Sequence, residues 1–299
     1  MSLRPVPSLL PVSGLLLVTA VWGSTFFLLK DVVERVPVAD LLSARFVVAA
    51  LALALLFPRA VGRLSAQDRR IGVLLGLLYG GGQLLQTFGL QTTSASVSGF
   101  ITGMYVVFVP FLAALLLRTR LGWAAWTAVA LSTLGLGMLS LQGLAVGGGE
   151  LLTLASALLY ALHIIGLGRW SRSSAAVGLT VVQLATVAVV CTIGALPGGL
   201  TLPDRAYDWG AVVYMGVIAG AGALVVQTWA QAHLAPTRAA VIMTMEPVWA
   251  AAFAVGLGGE SLGPRVLVGG VLVLAAMYLV ELAPSSSAGL ESDLEPVAA

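Results

Sequence analysis

Two stretches decide how this chain is read: QTFGLQTTSASVSGFITGMYVVFVPFLAALLLRTRLG, residues 86–122, and QTWAQAHLAPTRAAVIMTMEPVWAAAFAVGLGGESLG, residues 227–263. Slid by 141 positions, they share nine identities in 37: Gln-Thr at the start, Leu-Gly at the end, and Ile, Met, Val, Ala and Leu between. A shift of 138 pairs Trp22 with Tyr160 and Arg45 with Gln183 at matching depths of their apolar runs. The chain therefore resembles itself. Each copy holds five apolar segments, and because five is odd the second must enter a bilayer upside down relative to the first, an arrangement typical of secondary transporters.

The segments follow from composition. Of the 299 residues, 59% are hydrophobic and 9% charged, against about 25% charged in an average soluble domain; mean hydropathy is +1.01. A spanning helix needs about 20 mostly apolar residues. Ten such windows occur, at roughly 11–30, 38–57, 71–90, 96–117, 121–141, 149–168, 177–197, 209–231, 238–257 and 263–282. The expected fold is all-α and integral to the membrane. It has ten transmembrane helices in two inverted five-helix repeats, 11–141 and 149–282. Residues 283–299, Ser-rich and then acidic, are expected to form a disordered cytoplasmic tail. Arg4 followed by Leu15–Val21 resembles a signal peptide, yet no small-x-small cleavage site follows, so the stretch reads as an uncleaved first helix. Loops are too short for a soluble catalytic domain.

Orientation follows from basic residues. One side holds Arg4, Arg59, Arg63, Arg69, Arg70, Arg118, Arg120, Arg169, Arg172 and Arg238; the other holds Lys30, Arg35, Arg205 and Arg265. Ten against four places both termini in the cytoplasm, in a bacterial-type inner membrane. The arginines sit in scattered short loops, which argues against a nucleic-acid partner. The lone Cys191 reads as a small packing residue.

One cation lies outside this pattern. Arg45 is about seven residues, or roughly 10 Å, into the second window. It either snorkels to the interface or lines a cavity where it contacts a carboxylate. Glu246 precedes Pro247 near the middle of the ninth window, where the proline favours a kink. It is a candidate proton carrier, or else a packing carboxylate bonded to a hydroxyl or to Arg238. Lys30 and Glu260 read as interfacial. Tyr79, Gln83 and Gln86, at i, i+4 and i+7, make one polar stripe; Gln227 and Gln231 make its counterpart in the second half. Such amides bond a neighbouring helix, water or substrate. His163 is mid-helix and is either a second candidate proton carrier or a structural histidine, and Trp22, Tyr105, Tyr160, Tyr214, Trp229 and Trp249 lie at cavity depth. Trp123, Trp170 and Trp209, beside helix ends, read as an interfacial belt. No Walker sequence, nucleophile elbow or zinc motif occurs, so no cofactor, metal site or ATP-driven pump is expected.

The ten-segment order with Trp22-Gly23-Ser24, Arg45-Phe46, Glu246-Pro247 and Gly259-Glu260 resembles the drug/metabolite transporter superfamily, in its EamA-type branch. The first half departs from the pattern, with Tyr105-Val106 at the Glu-Pro position and Thr119 at the later Glu. The resemblance implies a secondary transporter, monomeric or weakly dimeric, that exports small metabolites by alternating access. Amino acids, possibly aromatic or hydrophobic, are the best single substrate class. A multidrug or lipophilic-cation exporter using Glu246 and Trp249 is the alternative, and an intramembrane enzyme a distant third. With Glu246 the single deep carboxylate, a facilitator is favoured over strict proton antiport.

Overall fold

The computed structural model describes residues 9–117, 123–142, 145–234 and 236–282. The expected tail at 283–299, Arg4, and the Arg118–Arg120 turn with Leu121 and Gly122 lie outside them. The elements among the described residues are helices joined by short loops, apart from a two-residue antiparallel pairing of Leu141–Gln142 with Ala145–Val146. Helix α1 is Leu9–Val32, α2 Val38–Leu56, α3 Ala66–Leu90, α4 Ala95–Thr102, α5 Tyr105–Leu117, α6 Trp123–Ser140, α7 Gly148–Trp170 and α8 Ala176–Ala195. Then come α9 Ala206–Val213, a π-helical stretch Tyr214–Gly222, α10 Ala223–Gln231, α11 Pro236–Ile242, α12 Met245–Gly256 and α13 Pro264–Leu282.

Among the described residues, eight helical stretches are long and apolar enough to cross a bilayer. They coincide with the first four and the sixth to ninth windows. The fifth and tenth windows are the helices α6, of 18 residues, and α13, of 19, which pack on each other. Large apolar side chains face outward, as lipid contact requires: Leu55 is 78% exposed and Leu115 73%. Helix α3 starts earlier than its window because Ser65 and Asp68 close a capping box, satisfying amides that otherwise have no partner.

Two spans are broken. The fourth window divides at Gly103–Met104 and the ninth at Met243–Thr244, four and three residues ahead of the expected kink at Pro247. Proline has no N–H to offer the carbonyl four residues before it, which here is that of Met243. The interruption therefore falls where the ladder loses its donor. The two broken spans cross at Gly99, where a Cβ would come within 2.5 Å of the Ala250 Cβ. The π-helical stretch interrupts the eighth span and lies against α2, with Gly216 so close that a Cβ would meet the Arg45 carbonyl oxygen at 2.7 Å.

Numbering spans 1–10 by window, span 2 packs on span 7, span 4 on span 9, and span 5 on span 10. Span 3 packs on spans 6 and 7, while span 8 packs on spans 1 and 2. Span 1 packs on span 9, and span 6 on span 4. The pattern is reproduced when spans 1–5 are exchanged for spans 6–10.

The two ends of α2, about 28 Å apart for 19 residues, each carry an ion pair. At its start, Arg35 Nη2 reaches Asp208 Oδ1 and Asp31 Oδ2, both at 2.6 Å. Nε adds a bond to the second Asp208 oxygen at 3.3 Å, and Nη1 one to the second Asp31 oxygen at 3.1 Å. Asp31 and then Asp208 hold this guanidinium above its ordinary pKa, firmly charged. At the other end, Arg172 Nη2 meets Asp68 Oδ1 at 2.6 Å.

Candidate functional site

Residues of spans 1, 2, 3, 4, 6, 8 and 9 line a cavity of about 40 Å³. Its fourteen lining residues include ten singled out by sequence: Trp22, Arg45, Tyr79, Gln83, Gln86, Tyr105, Tyr160, His163, Gln227 and Glu246. The space admits water but not a small-molecule ligand, whose pockets run to about 300–1,000 Å³.

Arg45 does not snorkel; it is 1% exposed. Its Nε donates to the Met215 carbonyl in the π-helical stretch at 3.2 Å, and its Nη1 to Gln83 Oε1 at 3.1 Å. Because a guanidinium only donates, it fixes the Gln83 amide with oxygen toward Arg45 and nitrogen away. That nitrogen donates to the Tyr160 hydroxyl at 2.8 Å, Tyr160 donates to Gln86 Oε1 at 3.2 Å, and Gln86 Nε2 donates to Thr102 Oγ1 at 2.9 Å. The i, i+4, i+7 stripe of α3 thus becomes a one-directional chain from Arg45 to the break in span 4. Tyr79 adds an aromatic wall, its ring 5.3 Å from His163, 6.0 Å from Tyr160 and 6.0 Å from Phe46. His163 Nε2 is held 2.8 Å from Gln183 Oε1.

Glu246 occupies the other side. The single Tyr105 hydroxyl proton is shared between two acceptors, Glu246 Oε2 at 3.0 Å and the proline-freed Met243 carbonyl at 2.9 Å. Tyr105 and Glu246 are the residues that the 141-residue shift pairs. The same shift relates the Gln86–Thr102 bond to a contact of Gln227 Nε2 with Met243 Sδ at 3.9 Å. Gln227 Oε1 is buried and has no hydrogen-bond partner. Trp22 Nε1 donates to the Ala219 carbonyl of the π-helical stretch at 2.8 Å, closing the wall beside span 8.

Trp229 and Trp249 do not reach the cavity. Trp229 lies two residues past Gln227, about 200° around the helix, and its ring contacts His233 instead. Trp249 is 38% exposed and leans toward Phe253, on the side where α1 crosses at Gly23. The alternative that paired Glu246 with Trp249 loses its aromatic partner. Arg238 is exposed and is not the partner of Glu246. Lys30 is occupied at the end of α3, donating to the Leu90 and Gln91 carbonyls. Glu260 caps α4 through the Ala95 and Ser96 amides and the Ser96 hydroxyl, a stabilising place for a carboxylate.

The residues sequence reasoning missed are Thr25, Phe26, Ile164 and Met243. Thr25 and Phe26 follow Trp22 at helical spacing, and Met243 is the position that Pro247 marks. Among the described residues, no group of His, Cys, Asp and Glu is placed to hold a metal.

The model of the EamA-like transporter family matches residues 9–141 and 147–282. An uncharacterized transporter of Archaeoglobus fulgidus is 28% identical over 270 residues, covering 90% of this chain and 85% of its own. A protein of Streptantibioticus cattleyicolor described as a probable terminal-alkyne amino-acid exporter is 27% identical over 277 residues, covering 89% and 92%. One solved crystal structure aligns with a TM-score of 0.63 at 17% identity, over 90% of this chain and 95% of that one; that likeness concerns the fold alone.

Proposed function

Since the chain belongs to the EamA-like transporter family, we propose that it is a secondary transporter exporting small metabolites, amino acids first among them, across the inner membrane by alternating access. In this reading the ten spans form two inverted repeats, 11–141 and 149–282, with both termini cytoplasmic, and the cavity is the substrate site. The reading makes the chain a carrier of small molecules in the bilayer rather than an enzyme.

One observation carries it: the same ion pair is built twice, at opposite ends of α2. Arg35 precedes span 2 and clasps Asp208, the third residue of α9 in span 8. Arg172 precedes span 7 and clasps Asp68, the third residue of α3 in span 3. Exchanging the halves converts one pair into the other. Inverted repeats that rock around a fixed site require a closure on each face, and these clasps supply them. The cavity between them, the breaks in spans 4 and 9, and the exchange-symmetric packing support the same reading. Discontinuous helices at a repeat interface are where such proteins place their ligands.

The amino-acid assignment draws support from the named relative and from the cavity's mixture of amides, rings and two opposite charges. Uptake of a panel of labelled amino acids and lipophilic cations into proteoliposomes tests it. Gln83→Ala or Gln227→Ala should abolish uptake while leaving expression intact. Transport of cations alone would replace the amino-acid reading. Labelling of single cysteines at positions 2 and 290 from the periplasmic side would reject the orientation.

A further inference from the structure

We infer that Arg45 and Glu246 are the two poles that set ligand polarity: a bound ligand's carboxylate is taken by Arg45 and its ammonium by Glu246 with Gln227. The inference rests on the cavity being the transport site. Both groups are almost fully buried, at 1% and 6% exposure, and both line the same space. They do not neutralise each other, because the three ion pairs among the described residues are those of Arg35 with Asp31, Arg35 with Asp208, and Arg172 with Asp68. A buried charge without a counter-charge is costly. Arg45 keeps its charge and is left needing an anion, while the Glu246 carboxyl, kept apart from it in the same cavity, is ionised at least cost when it receives a cation.

The unused bonding capacity points the same way. A guanidinium has five N–H groups, and Arg45 spends one on Met215 and one on Gln83. What is left can grip a carboxylate with two parallel bonds. At the other pole, Glu246 receives the Tyr105 hydroxyl, and the neighbouring Gln227 Oε1 has no donor among the described residues. Orphaned buried acceptors call for a water, ion or ligand, and an ammonium brings three donors. A lone amine would leave Arg45 unpaired, and a lone acid would leave Glu246 and Gln227 unsatisfied. Water can fill an unused hydrogen bond at either pole, but only a molecule carrying both ends brings each pole its counter-charge. Tyr79 and Phe26, on the cavity wall, leave the ligand's apolar part a place to lie.

The thermal midpoint of the full-length protein in detergent, measured with each proteinogenic amino acid in turn, identifies a zwitterion that binds. The decarboxylated amine and the deaminated acid of that same compound are then titrated. In the unmodified protein each analogue should bind at least about tenfold more weakly, as expected when one buried charge loses its partner. In Arg45→Gln the amine should match the zwitterion, and in Glu246→Gln the acid should do so. Arg45→Lys keeps the charge without the fork, and Tyr105→Phe keeps the carboxylate; these milder variants should reduce each discrimination if the stronger ones fail to fold. An amine that binds the unmodified protein as tightly as the zwitterion overturns the inference, as does the absence of any stabilising amino acid. In the latter case, uptake of an amine or acid by proteoliposomes leaves the transport reading standing, and failure of every class removes both.

Discussion

Replacing Arg35 with Ala should expose the cavity from the face proposed as external, and far more than Arg172→Ala exposes it from the other. The two clasps differ in kind. Arg35 grips two carboxylates with four bonds, its side chain is 23% exposed, and Asp208 is fully buried. Arg172 holds Asp68 by one bond, with side-chain exposures of 50% and 13%. Breaking a buried pair costs about 3–5 kcal/mol, and exposed pairs contribute about 0.2–1 kcal/mol. Partial exposure of Arg35 sets its clasp at about 2–3 kcal/mol and that of Arg172 at about 0.5. The difference of about 2 kcal/mol is roughly 30-fold in population. The assay is the rate at which a membrane-impermeant thiol reagent modifies Thr25→Cys, a buried wall position, in a Cys191→Ser background. In right-side-out vesicles Arg35→Ala should accelerate labelling roughly 30-fold or more; in inverted vesicles Arg172→Ala should do so by about two-fold. Equal acceleration from both faces, or a larger effect of Arg172→Ala, would refute the clasp reasoning.

Tyr105→Phe removes a hydroxyl that serves both Glu246 and Met243; it should lower stability by about 1–3 kcal/mol, read as a fall in thermal midpoint. Gly99→Val should separate the crossing of spans 4 and 9, where the added Cβ alone would meet Ala250 at 2.5 Å, and greatly reduce the yield of folded protein. Gly62→Ala, with nothing within 4 Å of its Cβ, is the neutral control. A pH gradient imposed on proteoliposomes should not by itself drive accumulation, because Glu246 is the cavity's one carboxylate; accumulation that vanishes in Glu246→Gln would overturn the facilitator expectation.

Most of the cavity is legible in the sequence because polar side chains in an apolar helix have few other places to point. Gln83, Gln86 and Tyr79 share a helical face by spacing alone, and α3 turns that face inward. The tryptophans were not legible for the same geometric reason, since Trp229 cannot share a face with Gln227. Lys30 and Glu260 read as interfacial, with Lys30 also a candidate for a carboxylate at the cavity entrance; their actual partners, the ends of α3 and α4, lie too far away in the chain for any local pattern to show. The clasps were missed outright. Arg35 and Arg172 read as loop charges, useful for orientation and nothing more, and Asp68 and Asp208 carried no reading at all. Their signal was present in the Ala-x-Asp that opens both α3 and α9 and in the arginine ahead of α2 and α8. Pairing them requires contacts across more than a hundred residues, which no local pattern supplies. The breaks in spans 4 and 9 were half legible: Pro247 announced one, while Gly103 gave no comparable notice.

The bond between Tyr105 and Glu246 joins a position to its own duplicate. In the proposed inverted-repeat arrangement such a position lies on the axis that exchanges the halves, where likeness between the two copies would work against chemistry. Had both copies kept a glutamate, two carboxylates would stand at hydrogen-bonding distance in a dry interior, stable only by sharing a proton. Had both kept a tyrosine, the site would have lost its negative end. The unlike pair, Tyr105 donating to Glu246, resolves this by divergence. On that reading the two ion pairs at the ends of α2 can remain near copies of one another, while the centre requires two different residues.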